Sequence, residues 1–174
     1  DIVALARKKG LLFDGAFGSR LIQHGLPTNA NAEAWCLEHP EVVTKIHAEY
    51  VAAGADVLTT NTFGASSLKL QKAGIEKRVA EINHRMVELT RAAAKPTTLI
   101  AGNIGPTGEM LTPFGKIRIE EATINYAEQA GFLDAAGVDL FIIETMFDLN
   151  EALAAIKGIL QVSAKPIFAT MTFS

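Results

Sequence analysis

The chain has 174 residues, and its sixteen Lys and Arg against nineteen Asp and Glu give a formal charge of −3, with no basic excess for nucleic acid or an anionic membrane. Hydrophobic residues make up 49% and charged residues 20%, which excludes a disordered chain and suits one domain with its own core. No apolar run nears the ~18 residues of a membrane helix, Arg7, Lys8 and Lys9 interrupt any leader-like stretch, and the single Cys36 permits no internal disulfide, so the chain reads as reduced, soluble and cytoplasmic. Its first residue is Asp rather than Met, which reads as a trimmed start.

In chain order, short apolar segments rich in β-branched residues predict strands at 11–15, 55–62, 98–104, 138–145 and 166–173. Four helical stretches lie between them. Residues 39–53 place Val43, Ile46, Tyr50 and Ala53 on one face; Val79, Ile82, Met86 and Leu89 form a second stripe; 119–136 is a third helix; and 149–163 turns Ala152, Ile156 and Ile159 inward. This alternation predicts a parallel α/β sheet. Residues 53–62 align without gaps to 136–145, each beginning at a helix-capping glycine and ending in a polar residue plus Thr, so that Asn61 and Glu144 fall at matching strand ends. Repeated βα units suggest a (β/α) barrel. A closed eight-unit barrel is typically ~250 residues, so the expectation is either an open sheet or a barrel cut after about five strands and four helices.

In such folds the site lies at the carboxyl ends of the strands. Collected there are Asp14-Gly15, Asn61-Thr62-Phe63-Gly64, the glycine-rich segment from Gly102 to Gly108, Glu144-Thr145 and Thr170-Met171-Thr172. Two carboxylates at one rim can grip an amine or serve as acid and base; each alone could also be a turn residue or one half of an ion pair. The glycine loop is neither GxGxxG nor a P-loop, so a nucleotide is not expected. One cysteine cannot form a zinc cluster, and His39, His47 and His84 make no ligand pair.

The motifs Phe13-Asp14-Gly15-Ala16-Phe17-Gly18, Thr60-Asn61-Thr62-Phe63-Gly64-Ala65, Gly102-Asn103-Ile104-Gly105-Pro106-Thr107-Gly108 and Glu144-Thr145-Met146-Phe147-Asp148 occur in one order, followed by Met171-Thr172-Phe173. Together they resemble the homocysteine methyltransferases, most closely the homocysteine-binding barrel of cobalamin-dependent methionine synthase and more distantly betaine–homocysteine methyltransferase. The resemblance spans the chain and implies that residues 1–174 are the N-terminal portion of a (β/α)8 TIM-type barrel. It implies transfer of a methyl group to the homocysteine thiol, with methylcobalamin and methyltetrahydrofolate served by other domains. It places Asp14, Gly15, Ala16 and Glu144 at the substrate's ammonium end and Asn61, Thr62 and Phe63 along the pocket. It also implies zinc held by three cysteines in later strands. Those cysteines are missing here, and Cys36 lies in the wrong place, so this chain by itself is expected to bind zinc poorly and not to catalyse. The expected partners are homocysteine and either the remainder of the barrel or a second copy. Two other readings stand beside this one: a methyltransferase using betaine or S-methylmethionine directly, and a non-catalytic half-barrel that binds an amino acid or serves assembly.

Overall fold

A computed structural model describes residues 2–173. Helices α1 (Ile2–Lys9), α2 (Gly18–Gln23), α3 (Ala32–Glu38) and α4 (Pro40–Ala52) precede strand β1 (Val57–Thr59). Then follow α5 (Ser67–Gln71), a 3-10 turn (Glu76–Arg78), α6 (Val79–Ala93), β2 (Leu99–Ile104), α7 (Ile119–Ala135), β3 (Leu140–Met146), α8 (Leu149–Val162) and β4 (Ile167–Met171). The four strands form one sheet in the order β1-β2-β3-β4, every neighbouring pair parallel.

The helices expected at 39–53, 119–136 and 149–163 lie within a residue or two of those spans, and α6 carries the stripe expected of it and runs four residues past Leu89. Val43 and Ile46 of α4 and Val79, Ile82, Met86 and Leu89 of α6 are all buried. Four shorter helices, α1, α2, α3 and α5, were not foreseen; at five to eight residues they carry too few turns for a readable period.

The expected first strand is the main correction to the fold. Instead of a strand at 11–15 there is a single parallel bridge from Phe13 to Val57. Side chains interrupt the ladder on both sides of it. The Asp56 carboxylate accepts from the Leu12 N–H at 3.0 Å, and the Asp14 carboxylate accepts from the Thr59 N–H at 2.9 Å. Each takes a main-chain donor that a continuing strand would have used. Among the described residues the sheet therefore has four strands rather than five.

Strand alternation sorts the core into two layers. Leu58, Ile100, Ile104, Phe141 and Ile143 face the helices and pack with Val87 of α6, Leu133 of α7 and Ile159 of α8. Val57, Ala101, Leu140 and Ile142 face the other way, under Ile2, Leu11, Phe13 and Phe168. The helical layer thus covers one face, and the opposite face has its own small apolar layer, as in part of a barrel rather than a sheet wound on both sides. The repeat at 53–62 and 136–145 is real at its start, where Gly54 (φ +98°) and Gly137 (φ +90°) both adopt the left-handed conformation. It diverges at its end. Thr62 N–H turns back to the Thr60 carbonyl at 2.8 Å, so Asn61 leaves the sheet, whereas β3 runs on through Glu144.

Candidate functional site

Beyond the apolar layer, on the helix-free face and at the carboxyl ends of the strands, lies a cavity of about 550 Å³ lined by residues from Phe13–Phe17, Thr59, Asn103, Ile142, Glu144 and Phe168–Thr170. Its floor is apolar and its wall carries three acceptor groups.

Asp14 is the first. Both carboxylate oxygens are held by Thr59: the hydroxyl donates to Oδ1 and the backbone N–H to Oδ2, each at 2.9 Å. The side chain is only 1% exposed. Burial pushes its pKa up to about 6 against the opposing pull of the Thr59 hydrogen bonds, and the negative charge of Glu144 adds to the rise. The following backbone is fixed by Tyr50 of α4, whose hydroxyl donates to the Ala16 carbonyl at 2.8 Å. A Cβ on Gly15 would stand 3.0 Å from that hydroxyl, so the close approach suits glycine there.

Glu144 is the second. Pairing of β3 with β4 steps from Ile143↔Ala169 to Met146↔Met171, three residues against two, which is a bulge. Thr145, at its centre, has φ +62°, a left-handed conformation that a β-branched residue rarely takes. The bulge brings Glu144 to the cavity wall, where its Oε2 accepts from Asn103 Nδ2 at 2.8 Å. Asn103 is the third group: it is 6% exposed, and its Oδ1 has no hydrogen-bond partner. Two carboxylates and an unsatisfied amide oxygen around one small space fit a primary ammonium, which brings three N–H donors and a positive charge.

Asp14, Gly15, Ala16 and Glu144 thus meet at one cavity. Asn61, Thr62 and Phe63 stand elsewhere: Asn61 Nδ2 donates to Cys36 Sγ at 3.0 Å, Thr62 Oγ1 donates to the Asn103 carbonyl at 2.7 Å, and the Phe63 carbonyl accepts from Gly105 N–H at 3.2 Å. These contacts buttress the ends of β1 and β2 behind the cavity. A Cβ on Gly105 would lie 2.5 Å from the Phe63 carbonyl oxygen, so that glycine serves close packing. Thr59 and Phe168 were missed as site residues, and Asn103 and Thr170 were collected at the strand ends without being given a part in the pocket. Continuing the alternation of Leu99 and Ala101 by two residues turns Asn103 to the cavity side of the sheet.

No cluster of three or more His, Cys, Asp or Glu that could hold a metal occurs among the described residues. Cys36 does not fit thiolate ligation either: burial first, then the charge of Glu33, pushes its thiol up to about 12. No helix among the described residues is long and apolar enough to cross a membrane.

A parallel sheet with helices on one face carries this cavity at the carboxyl ends of its strands, the place where barrel folds keep their sites. Residues 11–174 match the homocysteine S-methyltransferase family, and the chain belongs to it. Three structures of the homocysteine methyltransferase MmuM from Escherichia coli are similar to it. The metallated form shares 24% identity at a TM-score of 0.83, covering 98% of this chain and 66% of that one. The oxidized form shares 26% at 0.78, with 99% and 64% covered. The apo form shares 23% at 0.72, with 98% and 62% covered. The chain thus spans a little under two thirds of the length of these relatives.

These findings correct the narrower resemblance. The match is to the homocysteine S-methyltransferase family and to MmuM, not specifically to the cobalamin-dependent methionine synthase barrel. The methylcobalamin- and methyltetrahydrofolate-linked function inferred from that resemblance is set aside; the reading with a direct methyl donor fits better.

Proposed function

We propose that this chain is the amino-acid-binding portion of a homocysteine S-methyltransferase barrel, whose methyl donor is a small onium compound such as S-methylmethionine or betaine. The observation that carries this reading is the convergence of Asp14, Glu144 and the free Asn103 Oδ1 on one cavity. In this reading the three acceptors hold the substrate's ammonium, the Gly15–Ala16 backbone lies beside it, and the sulfur points out of the cavity. Methyl transfer forms the new sulfur–methyl bond as the donor's onium–methyl bond breaks, and the thiol proton leaves. This chain's part is binding and orientation, which places the sulfur for attack. The groups that activate the thiol lie outside the residues described here, in the remainder of the barrel.

The test is calorimetric titration of L-homocysteine into the protein and into its Glu144→Ala variant, with methionine formation from each donor assayed in the full-length enzyme. Removing one partner of a desolvated ammonium–carboxylate contact costs roughly 2–4 kcal/mol, so binding should weaken by about 30-fold or more. Equal affinity in the variant would show Glu144 to be structural.

A further inference from the structure

Directly behind Asp14, away from the cavity, lies His47 of α4. It is fully buried, with its ring against Phe17 at a 4.7 Å centroid distance. Sequence patterning gave it no role. Its hydrogen bonds define its tautomer. Thr90 of α6 donates its single hydroxyl proton to the Met86 carbonyl at 2.7 Å, and a carbonyl can only accept. The 3.1 Å contact between Thr90 Oγ1 and His47 Nε2 must then be made by the imidazole's proton, which places it on Nε2. Nδ1 is left as a bare lone pair, buried and without a hydrogen-bond partner. It faces Asp14 Oδ2 at 4.0 Å. That separation exceeds a hydrogen bond, as expected for two acceptors with no proton between them.

We propose that His47 and Asp14 work as one proton-holding pair: the Nδ1 lone pair favours a proton on the Asp14 carboxyl when no cation is bound, and arrival of the substrate's ammonium expels that proton to solvent. The step balances. Asp14–COOH gives H⁺ to water, and the carboxylate that remains pairs with –NH3⁺. His47 is here a positioning residue; it stays neutral throughout and touches no substrate. The inference rests on the proposed function for the identity of the cation, but the pair itself does not. Other titratable groups near Asp14 are Glu144 of β3, whose negative charge also favours the proton, and Tyr50 of α4, which lies against Gly15. β1, β2, the turn before α2, and α6 present the uncharged Thr59, Asn103, Phe17 and Thr90. Burial acts in the same direction, raising Asp14 and lowering His47 to about 3, so the shared proton belongs to the carboxyl.

The test begins with ligand-free protein. Nitrogen-15 NMR of the imidazole should report the Nε2–H tautomer across neutral pH, and the Asp14 carboxyl carbon should titrate near pH 6. His47→Phe removes the lone pair, and Thr90→Val frees the ring to turn its proton toward Asp14. Each should lower the Asp14 midpoint by roughly one pH unit. An Nδ1–H tautomer in the wild type, or an Asp14 midpoint unmoved in the variants, overturns the proposal; should His47→Phe fail to fold, the wild-type spectrum and Thr90→Val decide. Titration of L-homocysteine at pH 6, in buffers of different ionisation heat, should then show release of roughly half a proton per ligand bound. Binding with identical heats in all buffers overturns the proposal and leaves the proposed function standing. If homocysteine does not bind, the proposed function falls, while the ligand-free titration still decides the pair.

Discussion

Asp14 is a carboxylate kept from water by the fold, and its stability consequences follow from its shift. Its folded value, about 6, lies above the ordinary 3.8, so the folded state binds more protons than the unfolded one between those values. Stability therefore falls as pH rises through that window, and the full penalty is present above it. His47 has the opposite sign: held neutral down to about pH 3, it loses stability as pH falls from 6.5. The two slopes oppose one another between about pH 4 and 6. Asp14→Asn should remove the carboxylate penalty, with the amide oxygen taking the place of Oδ2 as acceptor for the Thr59 N–H and the Thr59 hydroxyl turning to accept from the amide nitrogen. We expect a gain on the order of 1–2 kcal/mol at pH 7.5, vanishing below pH 4. Homocysteine binding should be lost in the same variant. Urea denaturation across pH, beside calorimetry, checks both; a variant less stable at pH 7.5 would show that the Thr59 hydrogen bonds outweigh the burial cost. Asp14 and Glu144 were legible in the sequence as carboxylates following apolar strand segments. His47 was not, because a helical histidine reads the same whether it faces solvent or the back of a carboxylate.

At the scale of elements, α7 and α8 pack closely. A Cβ on Gly158 of α8 would stand 2.7 Å from the Thr123 carbonyl oxygen, 2.8 Å from Ala127 N and 3.0 Å from Tyr126 Cβ, all on α7. Gly131 of α7 has open space at the same position. The two glycines make a matched prediction. Gly131→Ala should stabilise by roughly 0.5–1 kcal/mol through helix propensity. Gly158→Ala should destabilise by about 1–3 kcal/mol despite the same propensity gain, because backbone atoms cannot move aside cheaply. Denaturation midpoints of the two variants check this, and equal midpoints would mean the helices do not pack this closely. Just beyond the end of β2, buried Glu151 of α8 accepts from Thr107 N–H and Oγ1, each at 2.7 Å, and from the Tyr126 hydroxyl at 2.8 Å. It ties the loop after β2 to α7 and α8, a role that no local pattern in the chain discloses.

For the whole molecule, an open sheet or a cut barrel would threaten to bare the strand residues Val57–Leu58 and Phe141–Ile143, yet they are covered. Val57, Leu58, Phe141 and Ile143 are fully buried, and Ile142 is 7% exposed. Leu58, Phe141 and Ile143 point to the helices, and Val57 and Ile142 lie under Ile2, Leu11, Phe13 and Phe168. What remains open is the edge of β4. Among the described residues nothing pairs with it on its far side, Ala169 and Thr170 are exposed, and Phe173 beyond it is 87% exposed. A free edge beside an exposed aromatic favours strand-to-strand association, and a charge of −3 opposes it weakly. Light scattering of this 174-residue chain should show mass rising with concentration in the micromolar range. Phe173→Lys should reduce that rise, and a monomer at all concentrations would show the edge to be protected.

The sequence by itself determined the parallel α/β architecture, the four long helices and two of the three acceptors at the rim; its motifs pointed to homocysteine methyltransferases in general but to the wrong branch of them. Each of these depends on local periodicity or on contiguous motifs that survive without knowledge of contacts. Only the tertiary structure decided that residues 11–15 form a bridge rather than a strand, because side chains of Asp14 and Asp56 take main-chain donors from residues some 45 positions away. Only it decided which motif residues meet at the cavity: Asn61 turns back after β1, whereas Glu144 is carried inward by the bulge at Thr145. It alone placed Asn103 beside Glu144 and His47 behind Asp14. Burial and hydrogen-bond partners across the fold set what a titratable group does, and neither is written in the residues that flank it in the chain.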